Sequence, residues 1–382
     1  MSAGVLSRST IARRSREIGL AVVGVTTAEP FADLEPYVVD HVERGHMAGM
    51  RWFTAERARQ SMNPVVLHPG ARSIISVAVP FWSGIVSPPD DGLLRGRIAR
   101  YAWGRDYHVT LKQRMRRLVA LLEAESGRSI EARVLVDTAR ASDRAIAARA
   151  GVGWHGKNTM IIIPGHSSWA MLGEIIVDFR LPADPPLAKD CGRCAICIAR
   201  CPTGAIVEPY RVDSNLCVSY LTIEERGPIP HELRSRMGTY VFGCDICQDV
   251  CPYTAAAKVT DDPDFRPRSI DNVFPSLGFL ATMTEEQFRE AYSGTPVTRA
   301  KRSGMARNAA VALGNTGDPR AEPILIGMLL AHDLPLARGH AAAALTQLAG
   351  DEARRTLRAA WRAERDEYVR SEIHRALTAV SV

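Results

Sequence analysis

The sequence predicts three parts: an α/β N-terminal domain, a ferredoxin-like domain holding two iron–sulfur clusters, and an all-α, HEAT-like C-terminal repeat. Three observations carry this. Strand and helix patterns alternate over residues 1–180, eight cysteines fall together between Cys191 and Cys251, and an Ala-, Leu- and Arg-rich tail shows a recurrence of 32 residues. The expected boundaries are 1–180, 181–262 and 304–382, with a linker and helix at 263–303.

Within the first part, residues 5–19 read as a helix stopped by Gly19. Leu20–Val25 reads as a buried strand, and Met47–Arg59 mixes apolar and basic residues up to Asn63-Pro64. The turn signal Pro69-Gly70 leads into a strong strand, Ser73–Val79, and the Pro-, Gly- and Asp-rich stretch Trp82–Gly96 reads as a surface loop. Leu111, Met115, Leu118, Val119 and Leu122 have helical spacing within a basic helix at Lys112–Glu125. Glu131–Asp137 reads as a strand ending on an acid. Ser142–Gly151 reads as an Ala-rich helix with Ser142 as N-cap and Gly151 as stop. Strands at Met160–Ile163 and Glu174–Phe179 complete an alternating α/β pattern.

The second part opens with Cys191, Cys194, Cys197 and Cys201-Pro202, and closes with Cys217, Cys244, Cys247 and Cys251-Pro252. The first run has bacterial ferredoxin spacing, in which the fourth cysteine serves the other cluster. That crossover gives Cys191, Cys194, Cys197 and Cys251 to one [4Fe–4S] cluster and Cys201, Cys217, Cys244 and Cys247 to a second. All eight thiolates are used. Zinc usually takes two separated knuckles, which this ladder is not, and disulfides suit small secreted chains. Pro-rich stretches at Leu181–Lys189 and Asp261–Pro275 read as the linkers in and out.

In the tail, Ala312-Leu313, Ala344-Leu345 and Ala376-Leu377 recur in one phase, as do Arg338 and Arg370. A period of this size in helical sequence indicates stacked helix pairs of the HEAT kind; a bundle with chance register is the bland reading. The net charge of +6 leans towards a polyanionic partner. Basic residues cluster at Arg13-Arg14-Arg16, Lys112–Arg117, Arg299–Arg307 and Arg354–Arg362, where a solvated helix face is the plain alternative. No apolar run approaches the roughly 20 residues of a membrane span. Arg13-Arg14 resembles a twin-arginine signal, but Ser15-Arg16-Glu17 is too charged and the Leu20–Val25 run too brief for one. A cytoplasmic protein with reduced thiols is therefore expected.

The cluster ladder occurs together with Asp137-Thr138, Gly153-Trp154-His155-Gly156-Lys157-Asn158-Thr159 and Arg307-Asn308-Ala309. Arg100-Tyr101-Ala102-Trp103-Gly104-Arg105-Asp106-Tyr107-His108, Leu172-Gly173-Glu174 and Cys217-Val218-Ser219-Tyr220 through Glu224 accompany it. In this combination the chain resembles the epoxyqueuosine reductase family, from about residue 5 to its end. The resemblance implies a cobalamin-binding α/β domain, two [4Fe–4S] clusters, and reduction of epoxyqueuosine to queuosine at the tRNA wobble position. It implies base-off cobalamin without a protein histidine on cobalt. In keeping with that, Asp106-Tyr107-His108 begins an Asp-x-His-x-x-Gly motif in which Leu111 replaces the glycine.

By the same resemblance Asp137 is the proton donor. An aspartate with an ordinary pKa of about 3.9 is ionised at neutral pH, so the role calls for a raised pKa through burial. Capping of the following helix is the plain alternative. Asp106, Tyr107 and His108 are expected to hold substrate hydroxyls or relay protons. Arg57, Asp137, Lys157, Asn158, Ser219, Gly243 and Cys244 are expected against cobalamin, and Arg299, Lys301, Arg302 and Arg307 against tRNA phosphates. The resemblance further implies an external flavodoxin- or ferredoxin-type electron donor and a monomer. Ala139-Arg140 and Ala170-Met171 depart from the family pattern and bear on the pocket wall. Two rival functions remain: a cobalamin-dependent reductive dehalogenase, generally exported and without a repeat tail, and a ferredoxin-like carrier with no chemistry of its own.

Overall fold

The structure, a computed structural model, describes residues 6–137, 140–348 and 350–379. The chain forms two compact units. Residues 1–84, 105–215 and 246–266 make the first; residues 85–104, 216–245 and 267–382 make the second.

In the first unit, α1 (Arg8–Glu17) starts where the Ser7 hydroxyl accepts the Thr10 N–H at 3.1 Å, and ends at Gly19, whose φ is +75°. It leads into β1 (Val22–Thr27), and β2 (Ser73–Pro80) follows after short helices at Glu35–Glu43 and Ala55–Ser61. Next come α2 (Tyr107–Ser126), β3 (Ala132–Leu135), α3 (Asp143–Arg149) and β4 (Ala170–Val177). The strand order is β1-β2-β4-β3 and every pairing is antiparallel. Register places Gly24, Ser76, Glu174 and Leu135 in one row across all four strands.

Alternation then sorts the faces. Ile74, Leu135 and Ile176 pack with Ala145 and Ile146 of α3. On the opposite face a Cβ at Gly173 would meet Met115 of α2 at 2.7 Å. Four side chains of α2, Leu111, Met115, Leu118 and Leu122, are buried, each worth about 1.5–3 kcal/mol. Gly24 is required by close approach, because a Cβ there would lie 2.1 Å from the Ala150 carbonyl at the end of α3. Ser142 occupies the N-cap position of α3 without making the expected capping bond, and Gly151 stops the helix with φ +68°. β4 starts at Ala170, four residues ahead of the strand expected from Glu174.

The second unit contains a short strand, β5 (Tyr240–Phe242), paired in parallel with Arg97–Ile98, and the helices of the tail. These are α4 (Lys301–Thr316), α5 (Ala321–Ala331), α6 (Pro335–Leu348), α7 (Asp351–Ala363) and α8 (Glu367–Ala379). α4, α6 and α8 pack in one row and α5 and α7 in another. The recurring Ala-Leu pairs fall one each on α4, α6 and α8, with Ala312, Leu313, Ala344, Leu345 and Ala376 buried. Small side chains let these helices close up: a Cβ on Gly314 would stand 3.0 Å from that of Ala344. The 32-residue recurrence is therefore the step from one inner helix to the next.

Candidate active site and cluster-binding residues

Asp137 stands two residues past β3, at φ +44°, a left-handed conformation that costs a non-glycine residue energy. Its side chain is 56% exposed. Oδ2 accepts the Tyr107 hydroxyl at 2.6 Å and lies 3.2 Å from His108 Nε2. The other imidazole nitrogen, Nδ1, lies 2.8 Å from Asp106 Oδ1, which also accepts the His108 backbone N–H at 2.9 Å. Asp106 is the N-cap of α2, so the first turn of one helix delivers all three partners. The Tyr107 and His108 rings stack at 4.2 Å.

An imidazole between two carboxylates favours its cation. Burial pulls His108 down, but hydrogen bonds to Asp106 and Asp137 outweigh it and hold its pKa at about 9. Asp137 corrects the expectation of a raised carboxyl. Its surroundings do press it upward by desolvation even with half its surface open, yet the bonds from His108 and Tyr107 prevail and hold it below the ordinary carboxylate value. The stored proton of this group sits on His108. Thr138 and Ala139 lie outside the described residues; Arg140 donates to Gln60 at 3.1 Å. At the other departure from the family pattern, Trp169 is fully buried and donates to Thr254 at 3.0 Å, so Ala170 and Met171 follow a fixed indole.

Cys191, Cys194, Cys197 and Cys251 line one cavity of about 180 Å³ in the first unit, with Ile162, Pro252 and Tyr253. Burial pushes the Cys197 and Cys251 thiols up, and repulsion from the other thiols of the set adds to it, as expected of four sulfurs converging on one space. Four thiols and no carboxylate suit an iron–sulfur cubane. Lys157 and Asn158 belong to this same cavity. Lys157 Nζ donates to the Gly192 carbonyl at 2.7 Å and the Asn158 amide to the Cys247 carbonyl at 3.3 Å. Their donors brace the cysteine loops.

Of the second thiol set, Cys201 and Cys247 belong to the first unit and Cys217 and Cys244 to the second. Cys201 Sγ accepts the Ala205 N–H at 3.2 Å. Cys217 caps a helix, Val218–Ile223, on which Ser219 is half-buried. Gly243 has φ +69°, and a Cβ there would strike that of Ala99 at 2.5 Å, so its own unit already requires glycine. Arg57 is half-buried, with its guanidinium 4.6 Å from the centre of the Trp52 ring.

Of the expected tRNA contacts, one is corrected by its burial. Arg307 is fully buried: its guanidinium donates to the carbonyls of Leu221, Glu225 and Gly227 and to Asn308 Oδ1. It holds the repeat against the loop after Val218–Ile223 and is closed to phosphate. Asn308 does the same for the Thr222 and Val241 carbonyls. Arg302 pairs with Asp333 and Arg299 with Glu224, whereas Lys301 is exposed. Arg354, Arg355, Arg358 and Arg362 project from the exposed face of α7.

Together these features define a redox protein with paired iron–sulfur ligand sets and a helical-repeat tail. Residues 190–254 match the 4Fe-4S double cluster binding domain and residues 299–378 match HEAT repeats. Residues 62–138 match the model described as epoxyqueuosine reductase QueG, DUF1730. The chain is 36% identical over 365 residues to the epoxyqueuosine reductase of Bacillus cereus, covering 95% of this chain and 94% of that one. It is similar to an epoxyqueuosine reductase solved with an epoxyqueuosine-modified tRNA-Tyr stem loop, at 30% identity, TM-score 0.91 and coverage of 98% and 99%. It is also similar to the Bacillus subtilis enzyme solved with its catalytic aspartate loop swung out of the active site, at 29% identity, TM-score 0.90 and coverage of 97% and 98%. The chain belongs to the epoxyqueuosine reductase family.

Asp143 and Arg144 escaped the sequence reading. Their signal was faint: Glu174 is an acid at a register position where a buried strand carries apolar side chains.

Proposed function

We propose that this chain reduces epoxyqueuosine in tRNA to queuosine, with Asp137 as the group that delivers a proton to the departing oxygen. The observation that carries this is Asp137 itself, half-open and tied to a protonated His108. Opening an epoxide to an alkene breaks two carbon–oxygen bonds and forms a carbon–carbon π bond. It consumes two electrons and two protons and releases the oxygen as water. Asp137 Oδ2 receives a proton from His108 Nε2 and passes it to the oxygen, and Asp106 keeps the imidazole in line for the next proton. The cluster domain brings electrons singly from an external flavodoxin- or ferredoxin-type donor.

Family membership supports cobalamin, which when bound supplies a cobalt centre that holds a reduced state beside the substrate. Asp137, half-open, and Arg57, Lys157 and Asn158 are proposed to meet such a group in the first unit, the last two also bracing the thiol cavity. Ser219, Gly243 and Cys244 are likewise proposed as cobalamin contacts. Cys191, Cys194, Cys197 and Cys251 are assigned to one cluster and Cys201, Cys217, Cys244 and Cys247 to the other. Phosphate contact is proposed at Lys301 and the α7 arginines. The enzyme is taken to act as a cytoplasmic monomer; no helix among the described residues is long and apolar enough to cross a membrane.

Asp137→Asn tests the chemical role. Turnover of an epoxyqueuosine-bearing stem loop should disappear while iron content and RNA affinity stay as in the parent. Near-parental turnover in that variant would remove Asp137 from the reaction.

A further inference from the structure

Beneath the Asp137 turn lies a second pair of acids that the proposed reaction does not use. Glu174 sits in the middle of β4, between β2 and β3, and its side chain is fully buried. Its row, Gly24–Ser76–Glu174–Leu135, faces α3, since Leu135 packs on Ala145 and Ile146. The first residue of α3 is Asp143. Neither Glu174 oxygen meets an N–H or O–H donor among the described residues, and Asp143 Oδ1 meets none either. Each carboxyl acts on the charge of the other, and a hydrogen bond between them exists only if one of them carries a proton. Asp143 Oδ2 accepts the backbone N–H of Asp137 at 3.0 Å.

We propose that Glu174, neutral and donating to Asp143, is a positioning residue that through Asp143 keeps the Asp137 turn in its reactive place. The left-handed backbone of Asp137 needs an outside hold, and Asp143 supplies it at the peptide nitrogen. Asp143 in turn is aimed by Glu174. The charged groups facing the pair are Asp137, which opposes ionisation of both acids, and Arg144, which favours the Asp143 carboxylate; the Ser76 hydroxyl lies beside Glu174 on β2. Burial pushes Asp143 up to about 7 and holds Glu174 well above its ordinary value. As pH rises and the last shared proton leaves, two carboxylates face each other in a dry pocket, Asp143 turns away, and the Asp137 amide is released.

This inference rests on Asp137 as the proton donor, so its test reads the hold separately from the chemistry. Hydrogen exchange at the Asp137 amide is followed in the full, cluster-loaded chain from about pH 6 to about pH 9.5, corrected for intrinsic rates, beside kcat and KM. In the parent protein, protection and kcat should fall together at the alkaline end. Glu174→Gln donates without titrating, so it should keep protection across the range, and the alkaline fall of kcat that remains is then that of His108 alone. Glu174→Leu has no donor; protection and kcat should drop at least about tenfold at every pH, with KM nearly constant. A raised acid makes folding stability fall as pH climbs from the ordinary carboxylate range to the raised value. The pH dependence of Tm should accordingly flatten in Glu174→Gln. Parental protection in Glu174→Leu, or an undiminished alkaline loss of protection in Glu174→Gln, would overturn the proposal. If Glu174→Leu does not fold, the pH profile of Glu174→Gln decides alone. Protection that behaves as expected while Asp137→Asn stays active would retain the hold and reject the donor.

Discussion

Replacing His108 with glutamine gives a prediction whose size follows from the geometry. Its imidazole lies between Asp106 and Asp137, and its pKa stands at about 9 against an ordinary 6.5. A displacement of that size corresponds to about 3 kcal/mol of preference for the cation in the folded state, at about 1.4 kcal/mol per unit. The raised value sets the sign. The stabilisation is complete below pH 6.5, where the unfolded histidine is protonated too, and is lost as pH rises from there to about 9. His108→Gln should therefore cost about 3 kcal/mol at pH 6 and much less at pH 9.5, measured as the difference in anaerobic urea denaturation between variant and parent. The Asp106 and Asp137 bonds are the same interaction seen from the other side and add nothing further. Turnover should decline through the same alkaline range as His108 gives up its proton. An equal cost at both pH values would show that His108 is not held as a cation, and the proton path through it would fall.

Arg307→Met should destabilise the protein by about 3–5 kcal/mol in the same assay, because it strands three buried carbonyls. The salt dependence of tRNA binding should stay unchanged, since Arg307 reaches no solvent. Cys251→Ser should lower iron content by one cluster, read by metal analysis and the visible spectrum. Loss of both clusters, or of neither, would count against the crossover assignment.

The parts of this protein legible in the sequence are those set by local pattern. The 32-residue recurrence located the inner helices because each repeat must bury the same small residues against its neighbours. The cysteine spacing brought Cys251 to Cys191, Cys194 and Cys197 because cubane geometry constrains the chain directly. What depended on tertiary surroundings was hidden. Arg307 reads as one more arginine in a basic stretch, and only the carbonyls of Leu221, Glu225 and Gly227 show that it is a structural clamp. The protonation of Asp137 could not be read either, because burial and two donors oppose each other there and the sequence does not reveal which prevails. That Lys157 and Asn158 bond the Gly192 and Cys247 carbonyls was equally hidden, because these partners are distant in sequence.

Incubation of the cluster-loaded, cobalamin-supplied protein with a chemical reductant and a stem loop bearing epoxyqueuosine, under anaerobic conditions, tests the central claim most directly. The RNA nucleosides are then resolved by mass spectrometry. The account predicts conversion to queuosine, with loss of one oxygen, by the parent chain and none by Asp137→Asn. Recovery of unchanged epoxyqueuosine from parent protein that holds both clusters and binds the RNA would contradict it.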